Sequence, residues 1–84
     1  MLYGWLVYIL ECKDHSYYTG ITNDLEQRLS DHNSGKGAKY TRHRRPVILI
    51  YTETYPDKIT ANKREIEIKR MSRARKGKLV DSGK

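Results

Sequence analysis

The chain has 84 residues, 37% of them hydrophobic and 32% charged, and its 17 lysines and arginines outnumber 10 acidic residues for a formal net charge of +7. A chain of that size, expected to be one domain over residues 1–84, buries only about 60% of the surface its unfolded form exposes, which excludes a large core and a separate reading domain. Its single cysteine, Cys12, excludes an intramolecular disulfide, and with no second closely spaced Cys/His pair a thiolate zinc site is not expected.

The positive charge points to an anionic partner, nucleic acid ahead of an acidic membrane surface. The first apolar run, Trp5 to Leu10, is too short to span a bilayer and lacks the flanks of a signal peptide. A cytoplasmic protein with no membrane partner is the expectation.

That run is β-branched and aromatic and reads as a buried strand ending near Cys12, whose thiol reads as a small buried hydrophobe. Lys13 to Ser16 is a turn cluster, and Tyr17 to Thr22 is the returning strand of a β-hairpin. Tyr8 and Tyr18 share a face only if paired positions share parity, which needs an odd-length loop or a bulge. A helix follows, with Asn23 expected as its cap and Glu26 three residues on. Leu25, Arg28, Leu29 and His32 recur at helical spacing, so Arg28 and His32 are expected to border the leucines that anchor this helix rather than to be free surface charges. Gly35 or Gly37 is expected to end it in a left-handed conformation.

No acidic residue occurs from His32 to Thr52, whereas Lys36, Lys39, Arg42, Arg44 and Arg45 all do. This stretch reads as a phosphate-contacting arm, with Tyr40 offering a stacking or hydroxyl contact. Val47 to Tyr51 reads as a third strand, and its unbroken apolar character predicts a central or two-face-covered position. A helix is expected from near Thr60 to about Met71, with Glu65 in the middle of an inward stripe that includes Ala61 and Ile68. The bland account of Glu65 is an i, i+4 ion pair with Lys69. Ser72 should cap a last helix, Arg73 to about Val80, within a second basic block that includes Lys69 and Arg73, and Asp81 to Lys84 should fray.

These residues, in this order and spacing, resemble a stand-alone GIY-YIG nuclease domain over nearly the whole chain. The first signature strand reads Leu6-Val7-Tyr8 and the second Tyr18-Thr19-Gly20. The helical arginine falls on Arg28, the His/Tyr position four later on His32, and the later helical glutamate on Glu65, while HNSGKGAKYTRHRRP (32–46) resembles the small single-domain bacterial branch. The resemblance implies an α+β fold, a three-stranded antiparallel sheet flanked by helices in the order β-β-α-β-α-α. It also implies an endonuclease, with one Mg²⁺ or Mn²⁺ held weakly at Glu65 and Arg28 clamping a phosphate oxygen.

On that reading Tyr8 is the first candidate for the base, on condition that the metal-bound water, Arg28 or other nearby cations lower its pKa. Tyr18 or His32 would orient water or phosphate, or replace Tyr8 as base. Gly20, Lys36, Lys39, Tyr40, Arg42, Arg44, Arg45, Lys69 and Arg73 are the expected nucleic-acid contacts, with DNA favoured over RNA and structure over sequence as the basis of choice. Two alternatives stay open: a non-catalytic nucleic-acid-binding module, favoured by the absence of Asn and Gln from Ile66 to Lys84, and an accessory subunit that needs a protein partner and exposes an apolar patch near Ile66.

Overall fold

Strand β1 (Trp5–Glu11) owes its place to a run in which every residue from Val7 to Leu10 is buried, so that both of its faces need covering. The computed structural model describes residues 4–83 and covers that strand in two ways. Val7 and Ile9 pack on Ala61, Ile68 and Val80. Tyr8 and Leu10 pack with Cys12 and Val47, against which Leu25 and Leu29 lie.

The remaining elements are β2 (Tyr17–Thr22), α1 (Leu25–Ser34), α2 (Lys39–Arg42), β3 (Ile48–Tyr55), α3 (Lys58–Lys69) and α4 (Arg73–Ser82). The sheet is three-stranded and antiparallel in the order β2-β1-β3, the α+β arrangement expected, with one addition. The addition is α2, a single helical turn inside the basic stretch that reads as an irregular arm.

Tyr8 pairs with Gly20 and Leu10 with Tyr18, so the tyrosines share a face, and the loop 12–16 has the odd length that this register needs. The third strand departs from expectation. It runs on through Thr52-Glu53-Thr54-Tyr55 and lies at an edge, while β1 is central. A bulge at Ile9/Leu10 explains the misleading run, since it skips Ile50 between the pairs Leu10–Leu49 and Ile9–Tyr51. Leu49 thereby joins the α1 side and both Ile50 and Tyr51 the other, and Ile48 stays 63% exposed. Glu53, inward on this strand, accepts hydrogen bonds from Tyr51, Tyr55 and Arg64. Burial opposes its charge, yet the Arg64 and tyrosine bonds hold its carboxyl below the usual range.

Helix α1 is capped by Asp24, not Asn23: the Gln27 amide donates to Asp24 Oδ1 at 3.1 Å. Thr22 explains the shift, because its hydroxyl accepts from the Asp24 amide and holds the chain extended one residue further. Gly35 ends α1 at φ 86°, in the left-handed conformation expected. Asp57 caps α3, which starts at Lys58 rather than near Thr60, and Ser72 caps α4. Asp81 and Ser82 belong to α4 instead of fraying, and Lys84 lies outside the described residues. The outer side of α3 leaves Ile59 72% and Ile66 43% exposed.

Ile68, fully buried between α3 and β1, is expected to dominate the stability of α3. Ile68→Ala should cost about 2–5 kcal/mol, whereas Ile59→Ala should stay within about 0.5 kcal/mol. Urea denaturation of both variants checks this; equal losses would refute the assignment of the core.

Candidate active site

Four aromatic rings gather on the α1 side of the hairpin, and the register of β1 and β2 is what brings them there. The Tyr8 ring centroid lies 6.4 Å from that of Tyr18 and 5.9 Å from that of His32, and Tyr18 lies 5.2 Å from His32. Tyr40, from α2, stacks on Tyr18 at 6.0 Å with an interplanar angle of 25°.

The contacts at the inner end of this cluster are hydrogen bonds. Tyr8 Oη is 2.9 Å from His32 Nε2, and His32 Nδ1 is 2.7 Å from Thr41 Oγ1. Thr41 in turn donates to the Ala38 carbonyl at 3.0 Å. All three side chains are buried, at 2%, 1% and 0% exposure. Sequence reading missed Thr41, although Tyr40-Thr41 stands inside the motif that carried the resemblance; no periodicity marks a threonine in a one-turn helix.

Glycines make the space. A Cβ on Gly20 would lie 2.5 Å from the Tyr8 hydroxyl oxygen, and one on Gly37 would lie 2.5 Å from His32 Nδ1. Gly20 is buried within β2, so it holds the Tyr8 ring in place rather than serving a contact to a polyanion at the strand's turn into α1. Gly37 is likewise a packing glycine and not a helix terminator.

The electrostatics reverse one condition set by the sequence. Burial pushes the Tyr8 phenol well above its ordinary value, with Tyr18 and Glu65 adding to the rise, and Arg28 opposes them only in part. Among the chain's own groups, Arg28 therefore does not bring Tyr8 down to a neutral-pH base. Burial, and after it the charge of Arg28, holds the His32 imidazole below its ordinary 6.5 against the pull of Asp31. The resting pair is a neutral phenol and a neutral imidazole.

Arg28 is exposed and makes no ion pair or hydrogen bond among the described residues. It is a free cation whose field reaches both Tyr8 and His32. Glu65 points inward at 15% side-chain exposure and pairs with Lys69 Nζ at 3.2 Å, the i, i+4 contact noted above. The Lys69 ammonium also lies 5.9 Å from the Tyr18 ring centroid, which links α3 to the aromatic cluster.

Among the described residues no three His, Cys, Asp or Glu side chains converge as a metal cage. Glu65 is the inward carboxylate at this cluster that could hold one ion of the magnesium type, which would keep most of its waters.

The basic residues divide. Lys36, Lys39 and Arg42 are exposed, the last two on α2. Arg44 is committed to the fold: it donates to Asp14 at 3.1 Å and to the Tyr40 carbonyl at 2.8 Å, and its guanidinium lies 3.9 Å from the Tyr40 ring centroid. Arg45 donates to the Arg42 and Asn33 carbonyls, tying α2 to the end of α1. Arg73 lies 4.3 Å from the ring centroid of Tyr17, which points to the opposite face of β2 from Tyr18.

The GIY-YIG catalytic domain model matches residues 4–78. A UPF0213 protein of Staphylococcus haemolyticus is 53% identical over 75 residues, covering 89% of this chain and 92% of its own. A UPF0213 protein of Halobacterium salinarum is 52% identical over 73 residues, covering 87% and 95%. The solution NMR structure of a UPF0213 protein from Bacillus halodurans aligns with TM-score 0.60 at 52% identity, over 92% of this chain and 82% of that one. A second solution NMR structure, of a protein from E. faecalis, aligns with TM-score 0.63 at 44% identity and the same coverage.

Two outcomes follow from the packing. Gly20→Ala should lower stability by about 1–3 kcal/mol through the clash with Tyr8, and a melt unchanged from the parent would contradict the close approach. His32, with its folded pKa below 6.5, contributes stability that is complete above that value and is lost as pH falls below it, because the unfolded imidazole takes up a proton that the folded one resists. Denaturant midpoints measured from about pH 8 down to about pH 5 should therefore decline below about pH 6.5; a flat profile would refute the burial of a neutral imidazole.

Proposed function

This chain belongs to the GIY-YIG family of nucleases, and from that premise we propose that it is a divalent-metal-dependent endonuclease that hydrolyses phosphodiester bonds in DNA, choosing by structure rather than by sequence. The observation that carries the reading is the buried hydrogen bond between Tyr8 and His32, set beside the free cation Arg28 and the inward carboxylate of Glu65.

Hydrolysis needs a water, an acceptor for its proton, and positive charge for the phosphoryl oxygens as the bond to the leaving oxygen breaks. Arg28 meets the third need, since a planar guanidinium without an ion pair or hydrogen bond among the described residues is open to two phosphate oxygens. Tyr8 and His32 meet the second together. As water attacks phosphorus, the Tyr8 oxygen takes its proton and the Tyr8 proton passes to His32 Nε2. The terminal acceptor is then an imidazole with a pKa below 6.5, far better matched to neutral pH than a buried phenol.

Glu65 would hold a Mg²⁺ or Mn²⁺ ion, which as a Lewis acid stabilises charge on the phosphate and on the leaving oxygen. Lys36, Lys39 and Arg42 offer exposed charge for the phosphate backbone, a contact that carries no sequence information. A cytoplasmic location accords with these roles, and no helix among the described residues is long and apolar enough to cross a membrane.

A non-catalytic binding module is the second reading, favoured by the commitment of the one carboxylate to Lys69. Cleavage of labelled single-stranded, duplex, flap and branched DNA at low salt with Mg²⁺ or Mn²⁺ separates the two. The parent should cut, Glu65→Gln should bind without cutting, and Tyr8→Phe and His32→Gln should each lose about 10²–10⁴-fold in rate. Binding by every variant with cleavage by none, the parent included, would establish the module instead.

A further inference from the structure

Three hydrogens lie along the buried path from Tyr8 to Ala38, and only one polarity gives each of them an acceptor on that path. The Thr41 hydroxyl has a single hydrogen, which it donates to the Ala38 carbonyl oxygen at 3.0 Å. Its oxygen, 2.7 Å from His32 Nδ1, therefore faces that nitrogen as an acceptor, so Nδ1 carries the ring proton. Nε2 is left with a bare lone pair, which receives the Tyr8 hydroxyl hydrogen at 2.9 Å. In the reverse polarity Nε2–H would face the Tyr8 oxygen, and the Tyr8 hydrogen would be a buried donor with no other acceptor among the described residues.

We infer that Thr41 is a positioning residue that fixes His32 in the Nδ1–H tautomer and so keeps Nε2 open for the proton of Tyr8. The ring is held on the same edge by backbone: Gly37 approaches so closely that a Cβ there would lie 2.5 Å from Nδ1. The single turn of α2 has the geometry this requires, because Ala38, its cap residue, takes hydrogen bonds from both the Thr41 amide at 3.2 Å and the Thr41 hydroxyl. A proton reaching Nε2 produces an imidazolium whose two N–H groups already have acceptors, so no side chain has to turn.

The catalytic consequence rests on the nuclease reading above, but the tautomer does not, and this separates the tests. Two-bond ¹H–¹⁵N correlation spectra of the imidazole, recorded on the full chain without nucleic acid or metal, read the tautomer directly. The parent and Thr41→Ser should show His32 protonated at Nδ1, whereas Thr41→Val, which keeps the shape but removes the acceptor, should gain the Nε2–H form. In the cleavage assay Thr41→Val should lower kcat by about 10–10²-fold with KM little changed, and Thr41→Ser should recover most of the rate. A parent protonated at Nε2, or a Thr41→Val spectrum identical to the parent's, overturns the inference. If Thr41→Val does not fold, the tautomers of the parent and Thr41→Ser decide. A tautomer shift as expected in a protein that cuts nothing upholds the positioning by Thr41 and overturns the nuclease reading alone.

Discussion

The hydrogen bond between Tyr8 and His32 is buried, and much of the architecture on the α1 side of the sheet surrounds and supports it. A buried polar pair is tolerable only when each partner finds its complement. Here β1 brings the phenol, α1 the imidazole, α2 the hydroxyl that meets the far side of the ring, and Gly20 and Gly37 the room for both rings. Three elements are thus tied to one line of hydrogen bonds, with β2 packed beside it.

The opposite side of β1 is built on a different principle. Val7 and Ile9 meet Ala61, Ile68 and Val80 in a core of aliphatic side chains, and the stability of a thin domain depends on that contact. The central strand therefore sets a fully buried aliphatic cluster on one face and the buried Tyr8–His32 hydrogen bond on the other. Helix α3 joins the two, since the turn that buries Ala61 and Ile68 also carries Glu65 inward and Lys69 toward Tyr18. Displacing α3 would disturb the core and the carboxylate together.

Burial also changes the chemistry expected of each residue. A tyrosine among cations invites a lowered pKa, but desolvation outweighs Arg28 and drives Tyr8 upward. The same burial lowers His32, so that at rest the phenol and the imidazole are both neutral. Arg44 and Arg45 show a parallel conversion: both belong to the densest basic run of the chain, yet both spend donors on carbonyls that anchor α2.

Alternation in Trp5 to Leu10, the helical spacing of Leu25 and Leu29, the glycine stop at Gly35 and the serine cap at Ser72 depend on local geometry, and the sequence by itself determined them. It also placed Tyr8, Tyr18, Arg28, His32 and Glu65 in the order that carries the family resemblance, because that pattern is one of spacing. The edge position of β3, the cap at Asp24, the role of Gly20 as room for a ring, and the place of Thr41 beside His32 were decided only by tertiary structure. Each depends on a neighbour distant in the chain or on one side-chain hydrogen bond among several available. A bulge can hide an edge strand inside an apolar run, and a threonine in a four-residue helix has no period by which to be noticed.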